Sequence, residues 1–469
     1  EDGFRGYDYI SDYYLRVFFP LGYRALYTFA AKVWDPASFS KLLPYLQYIV
    51  LIALLGWVAW KLGGAASCFA SLALIMSTGL FFDRLIGGLP RSFGYPLVAM
   101  AIAAVVFGRM YFLVGVTLIG AAFYPIVSVI SGFWLGLVLL ILPARLSGDA
   151  SGWSLRKRFS ILLLTAVFST GLITPQLLAG AEYGSRIHTS EIHAFPEAGP
   201  RGRYNRNSRP PFYNSLQTVS LFILKTLEGT GKPFVDRFNI WHVWEGHDYQ
   251  TVSKGWLVLA AAIAVGIFAG VIKLALTTPA VLRLLLACLL IPFIHTLAVW
   301  FYPYFFIPAR YVQYTVPLFV VIFFPLGLLS FARSSRFLKN RFWGAPAVIV
   351  SMTLLILILV GGRGDKSSGY TLNARGQKNL YTFIGTLPRE AMIAGWPSNK
   401  VMNNISYLTK RKSFLTYETH QTFHKKYACE MRRRMILIID AFLAQDAEPF
   451  LALRDRNGVR YFLVDQRDF

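Results

Sequence analysis

Apolar stretches of membrane-spanning length recur along this chain, and they restrict the fold more than any other feature. A helix needs about 20 apolar residues to cross the hydrocarbon of a bilayer. Stretches near that length fall at roughly 42–60, 65–82, 94–108, 111–128, 132–144, 159–178, 255–275, 284–302, 311–331 and 343–361. Charged residues make up only 15% of the sequence and hydrophobic ones 55%, so a water-soluble fold is a poor match. The expectation is an α-helical polytopic membrane protein of about 10 spans, carrying a small α/β domain at its C-terminal end.

Lysine and arginine in the short loops set the orientation. One phase puts Lys61, Arg109, Arg145, Arg156, Lys157, Arg158, Lys273, Arg283, Arg333, Arg336, Lys339 and Arg341 on the cytoplasmic side. The short loops opposite then hold only Arg84, Arg91 and Arg310. Both ends of the chain and the long loop at 179–254 are therefore expected outside the cytoplasm. The net charge of +23 is spread over loops beside anionic headgroups, which makes membrane lipids the expected partners and gives no support to nucleic acid. The chain starts with Glu1 and no apolar span precedes residues 1–41, so an outward-running helix upstream is expected.

Three segments lie outside the spans. In residues 1–41, "YDYISDYYLRVFFPLGYRALYTFAAKVW" repeats aromatic and aliphatic residues at helical spacing, as interfacial helices do. The loop 179–254 opens as a Gly-, Pro- and Arg-rich polar run and continues as an amphipathic helix around "SLQTVSLFILKTLEG". From 362 to 469 the composition turns soluble; "AMIAGWP", "SFLTYE" and "YFLVD" read as short strands alternating with helices such as "HKKYACEMRRRMILIIDAFLAQ". Alternation of that kind favours a parallel sheet. Cys68, Cys288 and Cys429 are too scattered for a disulfide framework or a zinc site. No G-x-G-x-x-G is present and no internal repeat is evident.

Four groups of residues are candidates for chemistry. Arg91 in "GGLPRSFGYPL" and Arg310 in "FFIPARYVQYTVPL" each follow a proline closely and open a span at the outer boundary. Their planar, forked donors suit a phosphate, and the helix starts add positive dipole ends; the plainer role is anchoring to ordinary lipid phosphates. Asp2, Asp8 and Asp12 offer carboxylates at the membrane face, with Asp8 and Asp12 one helical turn apart. A general base can come from such a group, although solvating an interfacial helix is the commoner use. The loop run Arg201, Arg203, Arg206 and Arg209 can close over a polyanion or simply touch headgroups. His188, Glu191 and His193, with His242, Glu245, His247 and Asp248 later in the same loop, have the donor types for a divalent metal such as Mg or Mn, without a recognised ligand spacing. His295 stands alone inside a span and reads as a packed histidine.

Taken together, "YDYISDYY", "PLGYRALYTFAA", "DPASFSKLLP", "GGLPRSFGYPL", "AFYPIVSV" and "IPARYVQYTVPL" are similar to a group of bacterial multi-spanning proteins with the layout of the GT-C superfamily of membrane glycosyltransferases. The resemblance covers most of the chain through short motifs. It implies a location in the bacterial inner membrane and a polyprenyl-phosphate-linked sugar donor, whose phosphate would lie near Arg310 and Arg91. It also implies a catalytic acid in the first outer loop and a glycan, lipid or protein acceptor. A non-catalytic subunit that keeps the GT-C-like scaffold within a larger membrane assembly is the alternative. A transporter would need charged residues along a path through the midplane, and the spans contain almost none.

Overall fold

The computed structural model describes residues 8–188, 191, 194–195, 215–226, 254–301, 307–334, 375–465 and a few positions between 346 and 353. Among the described residues, five helical segments are long and apolar enough to cross a membrane: Pro36–Ser77, Pro90–Phe107, Leu155–Tyr183, Pro279–Trp300 and Ala309–Phe331. This is a helical membrane-protein architecture with a small sheet. A further helix, Lys254–Thr277, covers the expected span at 255–275. The expected spans at 111–128 and 132–144 correspond to the helices Met110–Phe123 and Pro125–Ile141, parted at Tyr124-Pro125 and each too short to count as a full span. The expected stretches at 42–60 and 65–82 fall on either side of Gly64 within the helical segment Pro36–Ser77. A straight helix of that length would overshoot a bilayer core of about 30 Å; this one breaks at Gly64, whose φ of 76° and ψ of −166° are not helical. The expected span at 343–361 lies largely outside the described residues.

The described residues group into two compact units. The larger comprises Pro20–Pro175 and Ser208–Tyr370. Its core is built from faces of the helices at 36–77, 94–107, 125–136, 279–300 and 316–334, with Trp134, Tyr95, Tyr311 and Tyr314 among the fully buried side chains. Two arginines are integral to it. Arg283 donates from Nε to the Val105 carbonyl at 2.8 Å, from Nη2 to Val106 at 2.7 Å and from Nη1 to Leu146 at 3.3 Å. Arg158 likewise donates to the carbonyls of Leu139 and Ala150 and to the Ser147 hydroxyl. Carbonyls near the ends of helices are short of partners within the helix, so each guanidinium supplies donors to buried acceptors there. His295 is packed as expected, but against a side chain: its Nδ1 lies 2.7 Å from the Ser215 hydroxyl.

The smaller unit collects the described residues before Pro20, those within Gln176–Asn207 and those from Thr371 onward. Its sheet has three parallel strands, β1 (Met392–Gly395), β2 (Lys412–Ser413) and β3 (Val459–Leu463), in the order β2-β1-β3. Helix Lys425–Phe442 lies between β2 and β3 in sequence, as a parallel connection requires. The amphipathic helix Tyr9–Val17 packs onto it: the Tyr13 ring stacks on Tyr427 at 3.5 Å, and the Tyr13 hydroxyl meets Nδ1 of the buried His424 at 3.0 Å.

Candidate functional site

The short helix Leu80–Leu85 carries Arg84 in its last turn. Gly87 and Gly88 follow with φ of 92° and 58°, a backbone that side chains with a Cβ rarely adopt. The glycine pair turns the chain back sharply, and the Tyr23 hydroxyl holds the turn by donating to the Gly88 carbonyl. Pro90 then fixes the entry to a tight turn, Pro90–Phe93, that presents Arg91 and continues into helix Gly94–Phe107.

Arg310 arrives from a distant part of the sequence, in the short helix Ala309–Gln313 behind Pro308. Its Nη1 donates to the Tyr314 hydroxyl at 3.1 Å. The Tyr314 ring is fixed on three sides: edge-on to Tyr95 at 5.0 Å and to Tyr124 at 5.3 Å, and against the backbone of Gly94, where no side chain intervenes. The Tyr95 hydroxyl donates to the Gln313 carbonyl at 3.0 Å, tying the two helix starts together. With its amide oxygen facing Arg84, Gln313 accepts from Arg84 Nε at 2.7 Å and Nη2 at 2.9 Å.

Three guanidinium groups thus converge. Arg91 lies within electrostatic reach of both Arg310 and Arg84, and its Nε is buried without a hydrogen-bond partner among the described residues. Like charges brought together are costly unless an opposite charge joins them. Asp83, whose side chain is exposed, offsets part of the Arg84 charge and leaves the three cations in excess. The contrast with Arg283 and Arg158 is informative. Those two use their donors on backbone carbonyls, whereas the Arg91 cluster has a donor to spare and an excess of positive charge, which is the electrostatics of an anion site.

The other sequence candidates fall elsewhere. Asp8, only 5% exposed, stands at the start of helix Tyr9–Val17. One of its oxygens accepts from the Ser11 hydroxyl, and the other has no partner among the described residues. Asp12 is engaged: Arg16 Nε donates to it at 2.9 Å and the Tyr183 hydroxyl at 2.7 Å, while Arg16 also reaches Glu182 at 2.9 Å. Asp2, Arg201, Arg203 and His193 lie outside the described residues. Glu191 accepts from Lys425 Nζ at 2.6 Å and from the backbone N–H of His188 at 3.2 Å. The Lys425 hydrogen bond, helped by that N–H, holds its carboxyl below the usual range. Among the described residues no three His, Cys, Asp or Glu side chains gather as metal ligands would.

Sequence reading placed Arg91 and Arg310 at comparable boundaries without showing that they meet. It missed Arg84, Gln313 and Tyr314 as members of the same cluster. The available signal was the pair of arginines flanking a Gly-Gly turn, seven residues apart. No protein-family model matches the chain, and no curated relative matches it in sequence.

Proposed function

We propose that the chain is a GT-C-like membrane glycosyltransferase of about ten spans in the bacterial inner membrane, using a polyprenyl-phosphate-linked sugar at the outer face. The observation that supports this most is Arg91, with a buried, unpartnered Nε beside Arg84 and Arg310. In this reading the lipid tail runs among the helices and the donor's phosphate accepts hydrogen bonds from Arg91 and Arg310. Fixed cations at that point stabilise charge developing on the phosphate as it leaves. An acid of the first segment, Asp2, Asp8 or Asp12, takes the proton of a glycan, lipid or protein acceptor, as the resemblance implies, and Arg201 and Arg203 add cations from the long loop. A divalent ion at His188, Glu191 and His193 would have to displace Lys425 from Glu191, so no step is routed through a metal.

The test is binding of polyprenyl phosphate to the purified full chain in lipid nanodiscs. Arg310→Ala is expected to weaken it at least about tenfold, the loss of one charge-assisted contact; unchanged affinity would remove the phosphate site from the reading.

A second reading, a non-catalytic subunit of a larger membrane assembly, draws on Asp12. Its carboxylate is already held by Arg16 and Tyr183, an arrangement suited to anchoring a helix. Glycosyl transfer by the purified chain, abolished by Asp8→Asn or Asp12→Asn, would decide against it.

A further inference from the structure

We propose that Arg84, positioned by Gln313, makes the site selective for a lipid-borne phosphate with two negative charges over one with a single charge. This rests on the phosphate reading above and extends it to a residue that reading does not need.

Arg91 and Arg310 suffice to hold a phosphodiester, which carries one charge. A third guanidinium within reach of Arg91 adds repulsion that one negative charge leaves uncompensated. Arg84 is nevertheless fixed there, because a single amide oxygen of Gln313 takes both its Nε and Nη2. Gln313 is itself anchored through its backbone carbonyl by Tyr95, and it lies three residues after Arg310, so one short helix sets both cations. A neutral acceptor orients Arg84 without cancelling its charge; a carboxylate in that place would have neutralised it.

Glycosyl transfer from a polyprenyl phosphate creates the matching anion. The bond between the anomeric carbon and the phosphate oxygen breaks, and its electron pair stays on that oxygen. The acceptor oxygen bonds to the anomeric carbon and gives up its proton to the base. The phosphate passes from a diester with one charge to a monoester with two. Arg84 then meets the charge that appears only as the bond breaks, which is where a fixed cation accelerates a reaction.

Two ligands with the same lipid tail test this at pH 8, where a phosphate monoester with a second pKa of about 6 is doubly charged: polyprenyl phosphate and its monomethyl ester. The full chain in neutral nanodiscs is expected to hold the monoester at least about tenfold more tightly than the methyl ester. Arg84→Gln should bring the ratio to about two or less, and Arg84→Lys should keep most of it, since charge is the operative property. Gln313→Glu keeps an acceptor for Arg84 and adds a negative charge, so it should also collapse the ratio even where Arg84→Gln fails to fold. A wild-type ratio near one, or a ratio unchanged in Arg84→Gln and Gln313→Glu, overturns the assignment. Failure of wild type to bind either lipid would instead overturn the phosphate reading itself.

Discussion

The ring of Tyr314 lies directly on the backbone of Gly94: a Cβ placed on that glycine would sit 2.5 Å from Cδ1 of the ring. The same tyrosine accepts a hydrogen bond from Arg310. The closeness of one helix start to another thus sets where Arg310 points.

Gly94→Ala should therefore push Tyr314 away and misplace Arg310. Overpacking of this kind costs about 1–3 kcal/mol, read as a lowered thermal midpoint together with weaker polyprenyl phosphate binding. Tyr314→Phe keeps the ring and removes the hydroxyl; it should cost about 1 kcal/mol or less in stability while still weakening the lipid. Equal stability losses in the two variants would count against the contact at Gly94.

Arg91 and Arg283 should behave in opposite ways. Arg283→Gln removes the guanidinium from the carbonyls of Val105, Val106 and Leu146, with an expected stability loss of about 3 kcal/mol or more. Arg91→Gln removes a charge from a crowded cationic cluster, so stability should hold or rise while lipid phosphate binding falls. Paired denaturation and binding curves separate the two; a large stability loss in Arg91→Gln would make it a structural arginine.

The smaller unit should be acid-sensitive through His424. Burial, reinforced by the charge of Arg186, brings this imidazole from 6.5 down to about 4. The unfolded chain takes a proton between those values that the folded chain refuses. Stability is thus complete above about pH 6.5 and declines as pH falls toward 4, by on the order of 2 kcal/mol after screening. Hydrogen exchange in helix Lys425–Phe442 should quicken over that window, and His424→Gln should flatten the dependence even as it loses the contact to Tyr13. A pH response equally steep in His424→Gln would assign it to another group.

The ion pair between Arg16 and Asp12 is half-exposed. Asp12→Asn should therefore cost less than about 1 kcal/mol. As the general base, the same carboxylate would lose about 10²–10⁴-fold in turnover on substitution. Measured side by side, stability and transfer rate distinguish an anchor from a catalyst.

Local pattern carried much of the architecture into the sequence. Apolar length marked the helices around 94–107, 155–179 and 254–277, and β-rich runs marked β1 and β3 within a few residues. The break between the stretches at 111–128 and 132–144 was legible only to within a few residues, because hydropathy is blind to the local turn that sets it at Tyr124-Pro125. The aromatic spacing of residues 9–17 suits a headgroup plane, yet it equally suits a stack on Tyr427. Periodicity cannot choose between two apolar partners. Arg91 and Arg310 were legible from proline and chemistry, whereas the Arg84–Gln313 bond depends on a long-range approach that no local pattern encodes. Nor did sequence separate Arg283, whose donors are used up on helix ends, from Arg91, whose donors are not.

The Gly87-Gly88 turn has a consequence for biogenesis. It brings Arg84 and Arg91 together as soon as that short segment is made, while Arg310 is synthesised long afterwards. Until the helix at 309–313 docks, the early arginines lack their late neighbour. The arginine cluster is thus a product of final assembly, and under the proposed function a lipid phosphate bound there would act as a template that holds early and late helices in register, binding only molecules in which the whole bundle has closed.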